Sequence, residues 1–114
     1  GLLTQALFLG AESGQMLPYF ETLGQQYPGW PALPALKARS LLYAGELEAG
    51  KTLLESAMEA APEDPIASAV MIDGQILTGA LQQARESTAR LLERRPLPPW
   101  LVDHLHAVQA ELNS

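Results

Sequence analysis

Apolar residues recur every three or four positions through most of this chain, which is the spacing of one face of a helix. The pattern predicts helices over residues 2–12, 15–26, 31–43, 46–61, 65–78, 80–94 and 100–112. No stretch alternates polar and apolar residues for long enough to form a strand. The sequence therefore predicts an all-α fold with about seven helices.

Glycine and proline residues mark the ends of these helices. Gly45 follows an apolar run and accepts the left-handed conformation that closes a helix, and Gly79 breaks a later one. Pro62 stops the helix before it, and Asp64 is a good N-cap for the next. Pro65 suits the first helical position, since the backbone amide there has no intrahelical acceptor. The signals divide the middle of the chain into helix–turn–helix units.

Proline and glycine residues also recur at an interval of 34 residues. The matched positions are Pro28, Pro62 and Pro96; Pro31, Pro65 and Pro99; Gly45 and Gly79; Leu47 and Leu81; and Gly50 and Ala84. Several matches in one register indicate a repeat. The chain then divides into a partial unit (1–30), two full units (31–64 and 65–98) and a terminal capping helix (99–114), all within one domain. We expect the two helices of the partial unit to form a hairpin joined around Ser13-Gly14.

The segment 31–64 resembles the tetratricopeptide repeat, a helix–turn–helix unit of 34 residues. Its matching residues are the small Ala38, Gly50 and Ala57, the bulky Leu54, the turn glycine Gly45 and the closing Pro62. The segment 65–98 keeps Ala84 and Pro96 but has Thr88 at the bulky position. The resemblance implies a right-handed superhelix of antiparallel helix hairpins that binds another protein or a peptide.

The resemblance also implies that the first helix of each unit lines a concave groove. The residues expected there are Gln5, Leu9, Arg39, Leu42, Tyr43, Asp73, Ile76, Leu77, Trp100 and His104, with Phe8 beside Leu9. This groove is mostly apolar, with one cation and one anion. Relatives that grip a terminal carboxylate use several Lys, Arg and Asn residues together, and that set is missing here. We therefore expect an apolar helix or strand of a partner protein as the ligand.

These groove residues also have a structural interpretation. Leu42, Ile76 and Leu77 could pack inside a tight superhelix instead of facing a partner. Arg39 and Asp73 could pair across neighbouring helices, and an exposed pair of that kind contributes only about 0–1 kcal/mol. The sequence leaves both interpretations open.

The composition narrows the classes of partner. Hydrophobic residues make up 47% of the 114 residues and charged residues 18%, which suits a folded domain rather than a disordered tail. A formal net charge of −6 argues against a nucleic-acid binder. The chain has no cysteine, so the sequence predicts no disulfide framework. It has no apolar run of roughly 18 residues, so the sequence predicts no insertion into a membrane.

The chain starts at Gly1 without an initiator methionine or a basic leader. We therefore expect a piece of a longer protein, and the Ala-, Leu- and Arg-rich composition suggests a bacterial one. The compartment stays open, with the cytoplasm slightly favoured over the periplasm.

No constellation of residues predicts an active site, a cofactor site or a metal site. Asp103 and His106 share a helix face, but a third metal ligand is not evident. Glu59, Glu63 and Asp64 lie at a helix junction, where capping by Asp64 with solvated neighbours is the better explanation. We therefore expect a binding protein without a cofactor rather than an enzyme.

Two other functions remain open. The start of the chain, with Leu2, Leu3, Ala6 and Leu7, lacks the polar face of a capping repeat. Exposed terminal helices could therefore mediate self-association into a homodimer. The domain could also regulate a DNA-binding or enzymatic partner on the same polypeptide, as in a bacterial transcriptional regulator or another multidomain protein.

Overall fold

The computed structural model describes residues 2–94 and 96–114, and every regular element within them is helical. The α-helices are α1 (Leu2–Gly10), α2 (Leu17–Gln26), α3 (Leu33–Tyr43), α4 (Leu47–Ala60), α5 (Pro65–Leu77), α6 (Leu81–Glu93) and α7 (Pro99–Leu112), and a 3-10 turn (Ala11–Ser13) follows α1. The all-α prediction is confirmed, with each helix ending close to its predicted bounds. Gly1 and Arg95 lie outside the described residues. Across the described ranges, no helix is long and apolar enough to cross a membrane.

The residues that were predicted to begin or end helices adopt the conformations that their residue types favour. Asp64 caps α5, since its carboxylate accepts a hydrogen bond from the backbone N–H of Ile66 at 3.0 Å. Gly45 follows α3 with a φ of 88°, and Gly79 follows α5 with a φ of 84°. This left-handed conformation strains residues that carry a Cβ, so glycine is favoured at both positions. The chain turns sharply there, and α4 and α6 each fold back on the preceding helix.

Close packing of α3 on α4, and of α5 on α6, builds the core. Gly50 lets α4 approach α3: a Cβ at this position would lie 3.0 Å from Leu42 and 3.1 Å from the carbonyl oxygen of Ala38. α5 also packs against α3 and α4, which joins the two helix pairs. The buried apolar side chains of these helices include Leu36, Leu54, Val70, Ile72 and Leu91.

α1 and α2, the two helices of the predicted partial unit, are joined through the 3-10 turn, and Leu3 at the start of α1 borders a cavity with Gln26 and Tyr27 at the end of α2. α1 packs against the 3-10 turn and α3, whereas α2 packs separately against α3. The Phe8 ring of α1 is fully buried and contacts Trp100 and His104 of α7. Burial of an aromatic side chain favours this position of α1. α1 therefore bridges the beginning and the end of the chain.

Candidate functional site

A buried arginine forms the centre of the candidate site. The Arg39 side chain of α3 is 0% exposed. Its Nε donates to Asp73 Oδ2 of α5 at 2.7 Å, and Nη2 donates to Glu12 Oε1 of the 3-10 turn at 3.0 Å. Its Nη1 donates to the backbone carbonyl oxygen of Phe8 in α1. One side chain thus connects α3 to three other elements.

Asp73 is buried with Arg39 and has donors on both carboxylate oxygens. Besides Arg39, the Tyr43 hydroxyl donates to Asp73 Oδ1 at 3.1 Å. A buried charge is tolerated only when it is paired and hydrogen-bonded in this way. We call Phe8, Glu12, Arg39, Tyr43 and Asp73 the Arg39 cluster.

The Phe8 ring is enclosed by a cation and two other rings. The guanidinium carbon of Arg39 lies 3.9 Å from the centroid of Phe8, within the range of a cation–π contact. The ring centroids of Trp100 and His104 lie 5.4 Å and 5.0 Å from that of Phe8. His104 meets Phe8 edge-on, a favourable arrangement for aromatic pairs. Through this one ring, α1 contacts both α3 and α7.

Burial and the neighbouring charges determine the protonation states in this region. Burial by itself would lower the pKa of Arg39, but the adjacent Asp73 carboxylate raises that pKa overall, so the guanidinium stays charged. Burial raises the pKa of Tyr43, and Asp73 raises it further, so the phenol stays protonated and donates. Burial lowers the pKa of His104, and the Arg39 cation also lowers it. The cluster is therefore a paired cation and anion beside an imidazole whose protonation is disfavoured.

A groove of about 710 Å³ adjoins the Arg39 cluster. α7 packs mainly against α6, which leaves this space between α7 and the ends of α3 and α5. The lining residues are Glu12, Tyr43, Asp73, Ile76, Leu81, Arg85, His104, Ala107, Val108, Glu111, Leu112 and Ser114. Apolar side chains from α5, α6 and α7 therefore lie together with charged groups, a surface that suits an amphipathic segment.

Six of the ten predicted groove residues lie in or beside this groove. Tyr43, Asp73, Ile76 and His104 line it, and Arg39 and Trp100 lie next to it around the Phe8 ring. The pairing of Arg39 with Asp73 is confirmed, but the expectation that this pair is exposed is wrong. Phe8 and Glu12 cover it, because α1 and the 3-10 turn pack on α3.

The other four predicted residues do not line the groove. Leu42 is 4% exposed, packs over Gly50 and borders a smaller cavity of about 390 Å³ between α4, α5 and α6. Core packing, the alternative interpretation, thus describes Leu42. Gln5 is partly buried on α1, and Leu9 and Leu77 are exposed.

Several lining residues were not expected from the sequence. Val108 and Leu112 follow His104 at intervals of four residues, so their place on the same face of α7 could have been predicted. No spacing in the sequence indicates that Arg85 lines the groove. Its Nε donates to the backbone carbonyl oxygen of Leu112 at 3.0 Å, and that contact depends on how α6 and α7 cross.

The described stretches of the chain contain no candidate metal site. No three His, Asp or Glu side chains there are grouped so that they could hold a metal ion. Asp103 and His106 are both exposed on α7. The polar groups that do converge are those of the Arg39 cluster.

Comparison with protein-family models, with curated proteins and with solved structures gives no match for this chain. The basis for a function is therefore the geometry of the Arg39 cluster and of the groove beside it.

Proposed function

We propose that this chain is a right-handed superhelix of the tetratricopeptide-repeat type whose groove binds an apolar or amphipathic helix of a partner protein. The observation that carries the proposal is the groove of about 710 Å³ beside the Arg39 cluster. Tyr43, Ile76 and His104 contribute to it from α3, α5 and α7. These are the helices that would line the concave face of such a superhelix.

The lining indicates the chemistry of the partner. Ile76, Val108 and Leu112 supply apolar surface, and burial of such surface contributes about 25 cal/mol per Å². Glu12 and Glu111 are exposed acids of the same lining, in a chain with a net charge of −6. A partner helix would place its apolar face on the three apolar side chains. Its Lys or Arg side chains would lie beside the two glutamates.

Binding fits this groove better than catalysis, because the polar groups of the Arg39 cluster already satisfy one another. Both Asp73 oxygens accept hydrogen bonds, and the Tyr43 phenol stays protonated. A general base needs an acceptor that is free to take a proton from a substrate. We therefore propose a binding protein rather than an enzyme.

Selection of helical peptides from a display library against the full chain tests this function. Ile76→Asp places a carboxylate in the groove, and we expect it to weaken binding of the selected peptides by roughly tenfold or more, about 1.4 kcal/mol. Leu77→Asp is the matched control, since Leu77 is the next residue of α5 but is exposed and outside the lining. Fluorescence anisotropy measures binding, and circular dichroism checks the fold of each variant.

The two variants separate groove binding from binding elsewhere. Loss of affinity in Ile76→Asp, with Leu77→Asp close to the wild-type chain, supports the groove as the site. Equal affinity for all three chains would place the peptides on another surface and contradict the proposal.

Self-association is a second candidate function, favoured by the apolar residues that α1 exposes. Leu2, Leu3 and Leu9 are all exposed, and Leu3 borders a shallow cavity together with Tyr27. Two copies could bury these residues against each other. Light scattering over a range of protein concentrations tests this function: a dimer that dissociates in Leu2→Glu supports it, and a monomer at every concentration contradicts it.

A further inference from the structure

A second cavity, of about 390 Å³, lies along α5 on the side away from the groove. α4 and α6 border it, and each of them packs against α5. Its lining on α5 consists of Met71, Gly74, Gln75 and Thr78. Spacings of three and four residues place these four on one side of the helix, whereas Asp73 and Ile76 line the groove from the other side. Among the described residues the two cavities share no lining residue, so they are separate sites.

Gly74 opens the floor of this cavity. A Cβ at Gly74 would lie 3.9 Å from a methyl carbon of Leu42, which is ordinary contact, so close packing does not require a glycine there. Gly50 differs, because a Cβ at that position would lie only 3.0 Å from Leu42. A glycine inside a helix is destabilising relative to alanine. At Gly74 this loss of stability permits no closer approach of helices, and the space that the missing side chain leaves belongs to the cavity. We call it the Gly74 cavity.

The Gly74 cavity has the size and the lining of a small-molecule site. Such sites usually measure roughly 300–1,000 Å³ and combine apolar walls with a few polar groups. Leu42, Met58 and Met71 supply the apolar surface here. Methionine side chains adapt their shape to a ligand and make favourable contacts between sulfur and aromatic rings. Two methionines in one lining therefore favour a ligand with an aromatic ring.

The polar groups of the lining favour a ligand that donates hydrogen bonds and carries a positive charge. The Oε1 atom of Gln75 is buried and accepts no hydrogen bond from the described residues. A buried acceptor without a donor costs free energy, and a ligand N–H beside Gln75 would relieve that cost. Glu48 and Glu55 of α4 are exposed and flank Lys51, the one cation among the described lining residues. Two acids and one base give the opening a net negative charge.

We infer that the Gly74 cavity binds a small molecule in which an aromatic ring is joined through a short aliphatic link to a primary ammonium group. The ring packs against Met58 and Met71 over Gly74, and the ammonium group lies beside Gln75 and Glu55. This site is additional to the proposed partner groove, and neither site requires the other.

Titration of the full chain with benzylamine tests the inference, because benzylamine carries the ammonium charge at neutral pH. NMR of the three methionine methyl groups follows the binding. Met58 and Met71 line the cavity, whereas Met16 precedes α2, lies outside the lining and serves as an internal control. We expect saturable shifts of the Met58 and Met71 signals and an unchanged Met16 signal. Absence of saturable shifts at Met58 and Met71 overturns the inference.

Two further probes test the charge of the ligand. Benzyl alcohol keeps the ring and a hydrogen-bond donor but has no charge, so we expect it to bind more weakly than benzylamine. Benzoate should bind more weakly still, because Glu48 and Glu55 repel its carboxylate. Benzoate that binds at least as tightly as benzylamine overturns the inference.

Gly74→Leu fills the floor of the cavity and should abolish the shifts that benzylamine causes at Met58 and Met71. Gly74→Ala adds a single methyl group in ordinary contact, so we expect it to fold with a higher midpoint of thermal unfolding and to bind benzylamine more weakly than the wild-type chain. Circular dichroism checks the fold of both variants. A folded Gly74→Leu that still binds benzylamine overturns the inference. If Gly74→Leu does not fold, Gly74→Ala decides: weaker binding supports the inference and unchanged binding overturns it.

Glu55→Gln removes one of the acids at the opening and should weaken the binding of benzylamine roughly 2- to 5-fold, the range of an exposed charge pair. Its affinity for benzyl alcohol should stay that of the wild-type chain. Glu59→Gln is the matched control, since Glu59 is exposed one turn later in α4 and lies outside the lining. Equal affinities of all three chains for benzylamine would overturn the assignment of a cationic ligand.

Discussion

The two full segments of 34 residues place equivalent positions in different surroundings. Arg39 of the first segment and Asp73 of the second are equivalent, and they pair with each other inside the molecule. Leu42 is buried, whereas its equivalent Ile76 lines the open groove. The register along the chain determines which face of a helix a residue occupies. The neighbouring elements determine whether that face is covered, and this second factor decides where a partner can bind.

Breaking the Arg39–Asp73 pair should have the largest effect. Arg39→Met leaves Asp73 as a buried carboxylate without its cation, and loss of one partner of a buried pair costs about 3–5 kcal/mol. That is a large part of the roughly 5–15 kcal/mol by which domains are stable. Urea unfolding followed by circular dichroism measures the loss.

The double variant Arg39→Met, Asp73→Leu distinguishes two costs. One is the loss of the ion pair itself, and the other is the burial of the Asp73 carboxylate without its cation. Replacement of a whole buried ion pair by apolar residues is often neutral, so we expect the double variant to regain most of the stability lost in the single one. A double variant as unstable as Arg39→Met would show that the hydrogen bonds of Arg39 to α1 and the 3-10 turn matter more than its pairing with Asp73.

Gly50 and its equivalent Ala84 provide the next test. In Gly50→Ala, the new Cβ would lie 3.1 Å from the carbonyl oxygen of Ala38, a backbone atom that cannot move without shifting α3. Overpacking costs about 1–3 kcal/mol, and the better helix propensity of alanine returns about 1 kcal/mol. We expect thermal unfolding to show a net loss of up to about 2 kcal/mol.

The matched control for Gly50 is Gly24→Ala in α2. A Cβ there would lie 3.9 Å from a methyl group of Leu33, which is ordinary contact. Helix propensity should then dominate and stabilise the chain by about 0.5–1 kcal/mol. If both substitutions stabilise the chain, the close approach of α3 and α4 does not depend on the glycine.

The helices could be predicted because their determinants are local. The apolar spacing, the Asp64 cap and the glycines at 45 and 79 act within a few residues of where they stand. The sequence placed Gly50 among the small residues of the repeat, and the structure shows that its missing Cβ leaves room for Leu42 and for the carbonyl oxygen of Ala38.

The position of α1 could not be predicted, because it depends on contacts between distant parts of the chain. Phe8 is buried by Trp100 and His104, and no pattern near Phe8 points to α7. The same contact covers Arg39, so the sequence indicated that Arg39 and Asp73 are neighbours but not that they are buried. Part of the groove lies on α3, α5 and α7, where the 34-residue spacing had placed Tyr43, Asp73, Ile76 and His104. The part on α6 depends on how the helices cross.

We expect the pH dependence of stability to change when His104 is substituted, and not when the exposed His106 is. Burial and Arg39 lower the pKa of His104, whereas Glu12 and Asp73 act in the opposite direction. Because the pKa is lower in the folded chain, protons bind the unfolded chain more tightly. Stability should therefore be highest above the ordinary histidine value of about 6.5 and fall as the pH drops below it.

Urea unfolding at about pH 7.5 and 5.5 measures the contribution of each histidine. We expect His104→Gln to lose less stability than the wild-type chain between these two values, since its side chain does not titrate. His106→Gln, on the exposed side of the same helix, should follow the wild-type chain. Equal losses in all three chains would mean that the contact of His104 with Phe8 does not restrict its protonation.

The smallest effect is expected at Arg94, which connects helices at the end of the second segment. Arg94 donates to Ser68 Oγ at 3.2 Å and to the backbone carbonyl oxygen of Glu63, whose carboxylate is 3.7 Å away and 94% exposed. Exposed pairs contribute about 0–1 kcal/mol, so Arg94→Ala should lower the free energy of unfolding by less than about 1 kcal/mol. Arg90→Ala, one turn earlier and exposed, is the control for the loss of charge. A loss in Arg94→Ala as large as that in Arg39→Met would mean that burial is not what distinguishes the two arginines.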